Sequence, residues 1–588
     1  MAKSISLKPK RELLKKPPNF DGYKLSLDGD VTVYSQNVNE ALEPKKSNTS
    51  CYLRTRIEAL HNHLFKDPFH VNHIYYFTSR GHLIKHQYSK DSKLSGSEVV
   101  WQADMSELSE EESEGDRYFA SLHFPSEDLA VVTNGRGSLH ILETGDRATT
   151  QSWLECLQTN TERGVIMQSY IADGDDYQRH LHCLIVSVTT QQELTSNEQY
   201  VIVDEGLKNA KDVAVHLLSW LVITYNGATW EPGRVRRLAG RGTIEYCSFD
   251  TTASGLIILC HSNYSFVEDS ISPITLPKPK EKVEEKKLPK YTYMQNDEDL
   301  IVYLNVGQIT REDLKVKVQP KELCVKIKDS TVLEGHLTDL VSADMVTWTI
   351  RETTLELTLP KASEGVRWKQ LLEGDDVSGE EVFDPQLIEE VNQRLAHLTS
   401  DKLDDNPDLD KPAYNPGQLE ACDEAQEDLL LLHLDGSTHK TDSLGQLGAT
   451  QHLFNSQVQG SAIPAFCIRS DVDGILWLPE KDSYTHVATF NAFGYVKASK
   501  TMAKFTCASA NNSYVAIADV KSHIYVFFQS EAYSGELRNR KSGKRMNTVA
   551  RQLVISMKTH DEILGLHCDT DVLFVLTEKT LYAYALRS

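Results

Sequence analysis

The sequence predicts an all-β protein in which a β-propeller is split by an inserted β-sandwich, with a short helical acidic linker. Three observations carry this. Strand–turn–strand units recur on both sides of the chain's middle, seven strand-like runs crowd into some 80 residues at its centre, and charged segments fence that centre off.

The flanks come first. "HIYYFTSRGHLIKHQY" (73–88), "DLAVVTNGRGSLHILETG" (128–145), "SYVAIADVKSHIYVFFQ" (513–529) and "DVLFVLTEKTLYAYAL" (571–586) each join two apolar runs through a polar turn. "GLIILCHSNYSFVE" (255–268) and "CIRSDVDGILWLPE" (467–480) read as looser copies of the same hairpin. A propeller blade takes about 40–45 residues. Segments 21–275 and 429–588 therefore make one ring of roughly seven blades, because two half-rings would each leave sheet edges exposed. The Trp-Asp signature of WD repeats is missing.

The fences are polar. Residues 1–20 read as a basic N-terminal tail, and 276–290, "LPKPKEKVEEKKLPK", as an extended charged linker. Residues 374–428 read as an acidic linker; within it Asp384 and Pro385 mark the start of an amphipathic helix over 385–399, with Leu387, Ile388, Val391, Leu395 and Leu398 on one stripe.

Between the fences, residues 291–373 hold "YTYMQN", "DLIVYLNV", "LKVKVQ", "ELCVKIK", "STVLEGHL", "VTWTIRE" and "TLELTLP", the rhythm of a compact sandwich. In the last two runs Val346, Trp348 and Ile350, then Leu355, Leu357 and Leu359, fall on alternate positions about a break at Glu352-Thr353. A period of two sends them to one face of a hairpin. Trp348 and Trp368 are expected in the core, with a cost of roughly 3–5 kcal/mol for Trp348→Ala.

The net charge of −22 resides in two segments: residues 103–116 contribute −7 and residues 373–428 contribute −15. The rest is neutral overall, which argues against direct nucleic-acid binding. Ser106, Ser109 and Ser113 in the first run suit an acid-directed kinase. No stretch has the length and apolarity of a secretory h-region or a membrane span, so no membrane association is expected. Ten scattered cysteines without a C-x-x-C pair predict reduced thiols, neither a disulfide framework nor a zinc site.

Catalytic and cofactor motifs are not found. "RKSGKRM" has Arg545 where a P-loop needs Ser or Thr, and neither G-x-S-x-G nor H-E-x-x-H occurs. His180 and His182 share a strand face, but Cys183 points away and no third ligand is tied to them; with His61, His63, His70 and His73 they read as scattered strand or surface histidines. The expectation is no catalytic, metal-binding or cofactor-binding residue. The basic clusters 8–16 and 538–545 are solvated segments or nuclear-import signals, so both cytoplasm and nucleus are allowed.

Tyr293-Met294-Gln295, the "LEGHL" region around Gly335, "TWTIRETTLELTLPK" with Trp348, Ile350 and Leu357, and the closing "WKQLL" with Trp368 together resemble the CS (p23-like) domain of the NudC family. Tyr293 stands where most of that family has Trp, keeping the apolar anchor but removing an indole N–H. The resemblance in layout extends over nearly the whole chain, with "GYKLSL" (22–27) and "HVATFNAFGYVKASK" (486–500) as supporting stretches. It implies a non-enzymatic co-chaperone or adaptor. On this resemblance the CS domain is expected to associate with Hsp90-type chaperones and with client proteins, often propellers, while the propeller binds a protein partner. The other readings are an enzyme with its site in the propeller channel, and a purely structural scaffold.

Overall fold

The computed structural model describes residues 3–14, 23–27, 31–38, 51–89, 93–103, 117–173, 178–209, 213–274, 290–373 without 308, 329, 352 and 364, 379–382, 428–532 without 482, single residues 536, 538, 543 and 545, and 548–586. The expected helix over 385–399, the serines of the first acidic run and nearly all of the linker 276–290 lie outside them. The chain forms two units, Met1–Pro277 with Leu419–Ser588, and Lys278–Gln418.

The first unit is a seven-bladed propeller. Its sheets span 65–102, 121–160, 165–240, 244–260 with 430–446, 452–490, 503–556, and 563–585 with 32–37. Each blade buries both faces, so its central strands are buried throughout and apolar but for a terminal threonine, as in Leu129–Thr133 and Val572–Thr577. Successive blades share a buried cluster: Phe77 with Phe124, Val131 with Leu181, Leu184 with Phe249, Ile257 with Phe466, Cys467 with Val515, and Ala516 with Leu573. Phe574 and Ile74 share the seventh cluster, which closes the ring. Strand Thr32–Asn37 pairs antiparallel with Thr580–Ala585, so the last blade is completed by sequence from the other end of the chain.

The turns follow their chemistry. In the Asn134–Arg136 turn the Asn134 carboxamide accepts the Arg136 and Ser138 N–H groups. Gly135 takes φ of 72°, and a Cβ there would meet the Tyr118 carbonyl oxygen at 2.1 Å. Only glycine fits.

Two expectations are corrected. Strands Gly255–Cys260 and Tyr264–Asp269 do not form a hairpin: the first pairs with Leu430–Asp435 beyond the insert, and the second becomes a fifth strand on Trp230–Gly240. The sandwich thus interrupts the fourth blade between its second and third strands. Nor are residues 1–20 a plain tail. Lys3–Ser4 pairs parallel with the outer strand Lys440–Gln446, and Ile5, Leu7 and Leu14 pack on the core between blades four and five. The Lys10 N–H donates to His486 Nδ1 at 3.1 Å. Tyr23 reaches the core between blades five and six, its hydroxyl donating to the Asn491 carbonyl at 2.7 Å, and Lys24–Leu27 runs parallel to Arg551–Ser556. Alternate apolar residues among the lysines explain why a basic segment lies down as a belt.

The second unit is a sandwich of a five-stranded and a three-stranded sheet. The seven expected runs are strands Tyr291–Gln295, Asp299–Asn305, Leu314–Gln319, Glu322–Ile327, Ser330–His336, Thr347–Arg351 and Thr354–Pro360. An eighth, Gly379–Glu381, pairs parallel with Tyr291–Gln295. The core is Tyr291, Tyr293, Leu300, Val302, Leu323, Val325, Leu355, Leu357, Leu359 and Trp368, among others.

Candidate protein-interaction site

Strand alternation places Tyr293 and Leu357 inside the sandwich, both buried. Between them in sequence, Gln295 organises the closing segment. Its Nε2 donates to the Trp368 carbonyl at 2.7 Å and to Glu381 Oε1 at 2.9 Å, while its Oε1 accepts the Trp368 N–H at 2.9 Å and Lys361 Nζ at 3.2 Å. Lys361 Nζ also donates to the carbonyls of Asn296 at 2.7 Å and Val366 at 2.8 Å. Burial pushes the Lys361 ammonium below its usual range, yet three acceptors surround it. This latch seats Trp368 at 2% exposure. Gly335 lies within strand Ser330–His336 opposite Leu323, where an added Cβ would come 3.1 Å from Leu372 Cδ1. Lys361 and Glu381 escape a sequence reading, because a buried lysine carries no periodic signal.

Trp348 is placed differently from Trp368: it packs against the same core but is only partly buried. It pairs with Leu357 on Thr347–Arg351, the outermost strand of the five-stranded sheet. A three-stranded partner sheet cannot cover five strands to the edge, so Trp348 and Ile350 are only half-buried. The Arg311 guanidinium lies 5.1 Å from the Trp348 ring centroid, at cation–π distance. Met345 (66% exposed) and Leu340 stand exposed on the approach to the strand. Among the described residues this strand has no partner on its outer side, and the edge carries an apolar, arginine-flanked shoulder, the geometry used to add a strand or dock an apolar side chain.

On the propeller, helix Tyr52–Ala59 and its exit touch blades two, three, four and seven. Arg56 Nη2 meets Glu245 Oε1 at 2.6 Å and Oε2 at 2.8 Å on the first strand of blade four. Burial opposes the Glu245 charge, but His261, His452 and Arg56 hold its carboxyl well below the usual range. His61 Nε2 lies 3.2 Å from the Ala120 carbonyl beside blade two, and burial pushes its pKa down to about 4. Asn62 Nδ2 donates to the Leu566 carbonyl at 2.9 Å and the His63 N–H to the Leu564 carbonyl at 3.0 Å, both on blade seven. The other histidines serve the fold: His182 Nδ1 accepts the Trp220 indole N–H at 3.0 Å, and His180 Nδ1 lies 3.1 Å from Thr224 Oγ1. Among the described residues no group of three or more His, Cys, Asp or Glu is placed to hold a metal ion.

The CS domain model matches residues 289–361. NudC domain-containing protein 1 of Mus musculus is 31% identical over 602 residues, covering 99% of this chain and 98% of the relative. The Xenopus laevis protein of the same description is 29% identical, with 98% of each chain covered. Among solved structures, the nuclear movement protein from E. cuniculi is 25% identical over 14% of this chain and 98% of that one, with a TM-score of 0.13. An identity of 31% that runs through propeller and sandwich alike means that the chain belongs to the NudC domain-containing protein 1 family.

Proposed function

We propose that the protein is a non-enzymatic co-chaperone or adaptor, in which the CS sandwich engages an Hsp90-type chaperone or a client while the propeller holds a second protein, in cytoplasm and nucleus. The observation that carries this reading is strand Thr347–Arg351, the edge of its sheet among the described residues, with half-buried Trp348 at the margin of the core and exposed Met345 beside it. A partner there covers apolar surface at no cost to the fold. Helix Tyr52–Ala59 supports a binding platform over a channel enzyme, because its Arg56 and Glu245 on blade four already satisfy each other.

The test is affinity capture from cells with the full chain, the Trp348→Ala/Met345→Ala variant, and a chain lacking Tyr291–Glu373, read by quantitative mass spectrometry. The expected result is an Hsp90-type chaperone with the full chain, reduced with the double variant and absent with the deletion, while other partners persist. Equal chaperone recovery with all three sinks the reading.

A further inference from the structure

The first strands of blades six and seven, Ala503–Ala508 and Ile563–Cys568, lie against each other, each at the end of its own sheet. Cys507 and Cys568 meet there from the two sides, both as free thiols. The Cys568 N–H donates to Cys507 Sγ at 3.4 Å, and the Cys568 thiol donates to the Cys507 carbonyl at 3.1 Å. These crossed contacts, with a hydrogen bond between the thiols themselves, hold the two residues within disulfide reach although they stand 61 positions apart in the chain.

The pair is asymmetric. Cys507 is half-buried, so a small solute reaches it, whereas Cys568 is buried. The hydrogen bond from Cys568 holds the Cys507 thiol well below its ordinary range against burial, and His567 adds a second hydrogen bond to it. Burial pushes Cys568 up, and Cys507 pushes it the same way. At Cys183, which has no such partner, burial alone acts and raises the thiol. Lys66 Nζ lies 3.4 Å from the Cys568 carbonyl and 3.2 Å from Asp569 Oδ1, which adds a cation beside the pair. An accessible thiol that ionises readily, next to a buried one that keeps its proton, is an attacking and a resolving sulfur side by side.

We propose that Cys507 and Cys568 are a reversible oxidation site, joined by a peroxide into a disulfide that fastens blade six to blade seven. The Cys507 thiolate attacks one oxygen of hydrogen peroxide and the O–O bond breaks. Cys507 becomes a sulfenic acid, and the other oxygen leaves as hydroxide, which takes the thiol's proton to become water. Cys568 Sγ then attacks the sulfenic sulfur. The S–O bond breaks, and the departing hydroxide leaves with the Cys568 proton as a second water. Two electrons pass from the two thiols to one peroxide, and a dithiol returns them by exchange.

The experiment treats the folded full chain with hydrogen peroxide, alkylates the remaining thiols in denaturant, and reads the peptides by mass spectrometry. Expected in the wild type is a peptide pair joined through Cys507 and Cys568, two hydrogens lighter than its reduced parts and separated by dithiothreitol. Cys568→Ser is expected to hold Cys507 as a sulfenic acid that dimedone traps, while Cys507→Ser leaves Cys568 a free thiol. Exposed Cys156 serves as the internal gauge of oxidant dose. Cys507 and Cys568 both alkylated as free thiols at a dose that oxidises Cys156 overturn the proposal, as does a link from either one to another cysteine. The wild-type readout needs no substitution, so a variant that fails to fold leaves the test intact. The oxidised chain is also expected to melt above the reduced one, because the bond closes a long loop in the unfolded chain. A lower melting temperature on oxidation shows that the bond forms only by distorting the ring, and overturns the proposal too.

Discussion

His433 Nε2 lies 3.3 Å from Asp250 Oδ2, and the pair joins the two sequence halves of the fourth blade across the inserted sandwich. The hydrogen bond to Asp250 raises the His433 pKa above its ordinary 6.5, with Asp442 and Asp435 adding to it. Burial opposes the Asp250 charge, but His433, Thr252 and the Ser254 N–H hold its carboxyl down to about 2. The sign of the pH dependence follows. His433 contributes fully below pH 6.5 and its share is lost as pH rises through its raised pKa; Asp250 contributes above its unfolded pKa of 3.8 and is lost as pH falls through about 2.

His433→Gln therefore costs most between these limits. The expected loss is about 1 kcal/mol at pH 5.5 and less at pH 8.5. Thermal unfolding of both chains at the two pH values checks it, and a larger gap at the higher pH contradicts the assignment.

Trp368 and Trp348 separate fold from function within one sandwich. Trp368→Ala removes a fully packed ring and costs about 3–5 kcal/mol, whereas Trp348→Ala at the open edge costs about 1 kcal/mol. Calorimetry of the full chain follows the sandwich transition, which shifts strongly for the first variant and little for the second. A large shift for Trp348→Ala returns it to a core role.

Gln295→Leu leaves the Trp368 N–H and carbonyl unpaired and takes one of the three acceptors from Lys361. A buried donor and acceptor stranded together cost about 2–3 kcal/mol. Denaturant unfolding measures this, and Gln295→Glu, which keeps an acceptor beside Lys361, is expected to lose less.

Arg147 and Asp67 are both fully buried, with Nε to Oδ2 at 2.6 Å and Nη2 to Oδ1 at 3.0 Å. Asp67 also accepts the Phe69 and His70 N–H groups, so the pair ties a blade-one turn to blade two. Arg147→Met leaves that carboxylate uncompensated and costs about 3–5 kcal/mol. The Asp67→Asn/Arg147→Met chain is expected to recover part of the loss, and a double-mutant cycle with no coupling contradicts the pairing.

What was legible in the sequence were features that a strand encodes in itself. Alternation at Val346–Leu359 and turns such as Asn134-Gly135 give hairpins whose two strands are neighbours in both chain and space. Gly255–Glu268 reads as a hairpin because two adjacent apolar runs look alike whether they pair or diverge; Gly255–Cys260 pairs instead with Ile244–Phe249 before it and with Leu430–Asp435, some 170 residues on. The edge position of Trp348 is a property of sheet order, not of its own alternation. The Gln295–Lys361–Trp368 latch escaped for a different reason: the pattern that marks burial counts apolar residues, and its centre is an amide and an ammonium.

The N-terminal belt yields the last prediction. Lys3–Ser4 and Lys24–Leu27 cover the outer edges of blades four and six, while Ile5, Leu7, Leu14 and Tyr23 pack on the cores beside them. Removing residues up to Leu27 keeps Thr32–Asn37, the strand that closes the ring, so the propeller is expected to fold. The truncation nonetheless uncovers two strand edges and partly buried apolar surface, for a loss of about 3–5 kcal/mol and concentration-dependent association through the bare edges. Thermal unfolding with light scattering reads both effects. Leu7→Asp/Leu14→Asp, which keeps the backbone able to pair, is expected to lower the melting temperature with less association. A truncated chain as stable and monomeric as the full one makes the segment a tail after all, free for an import receptor to read.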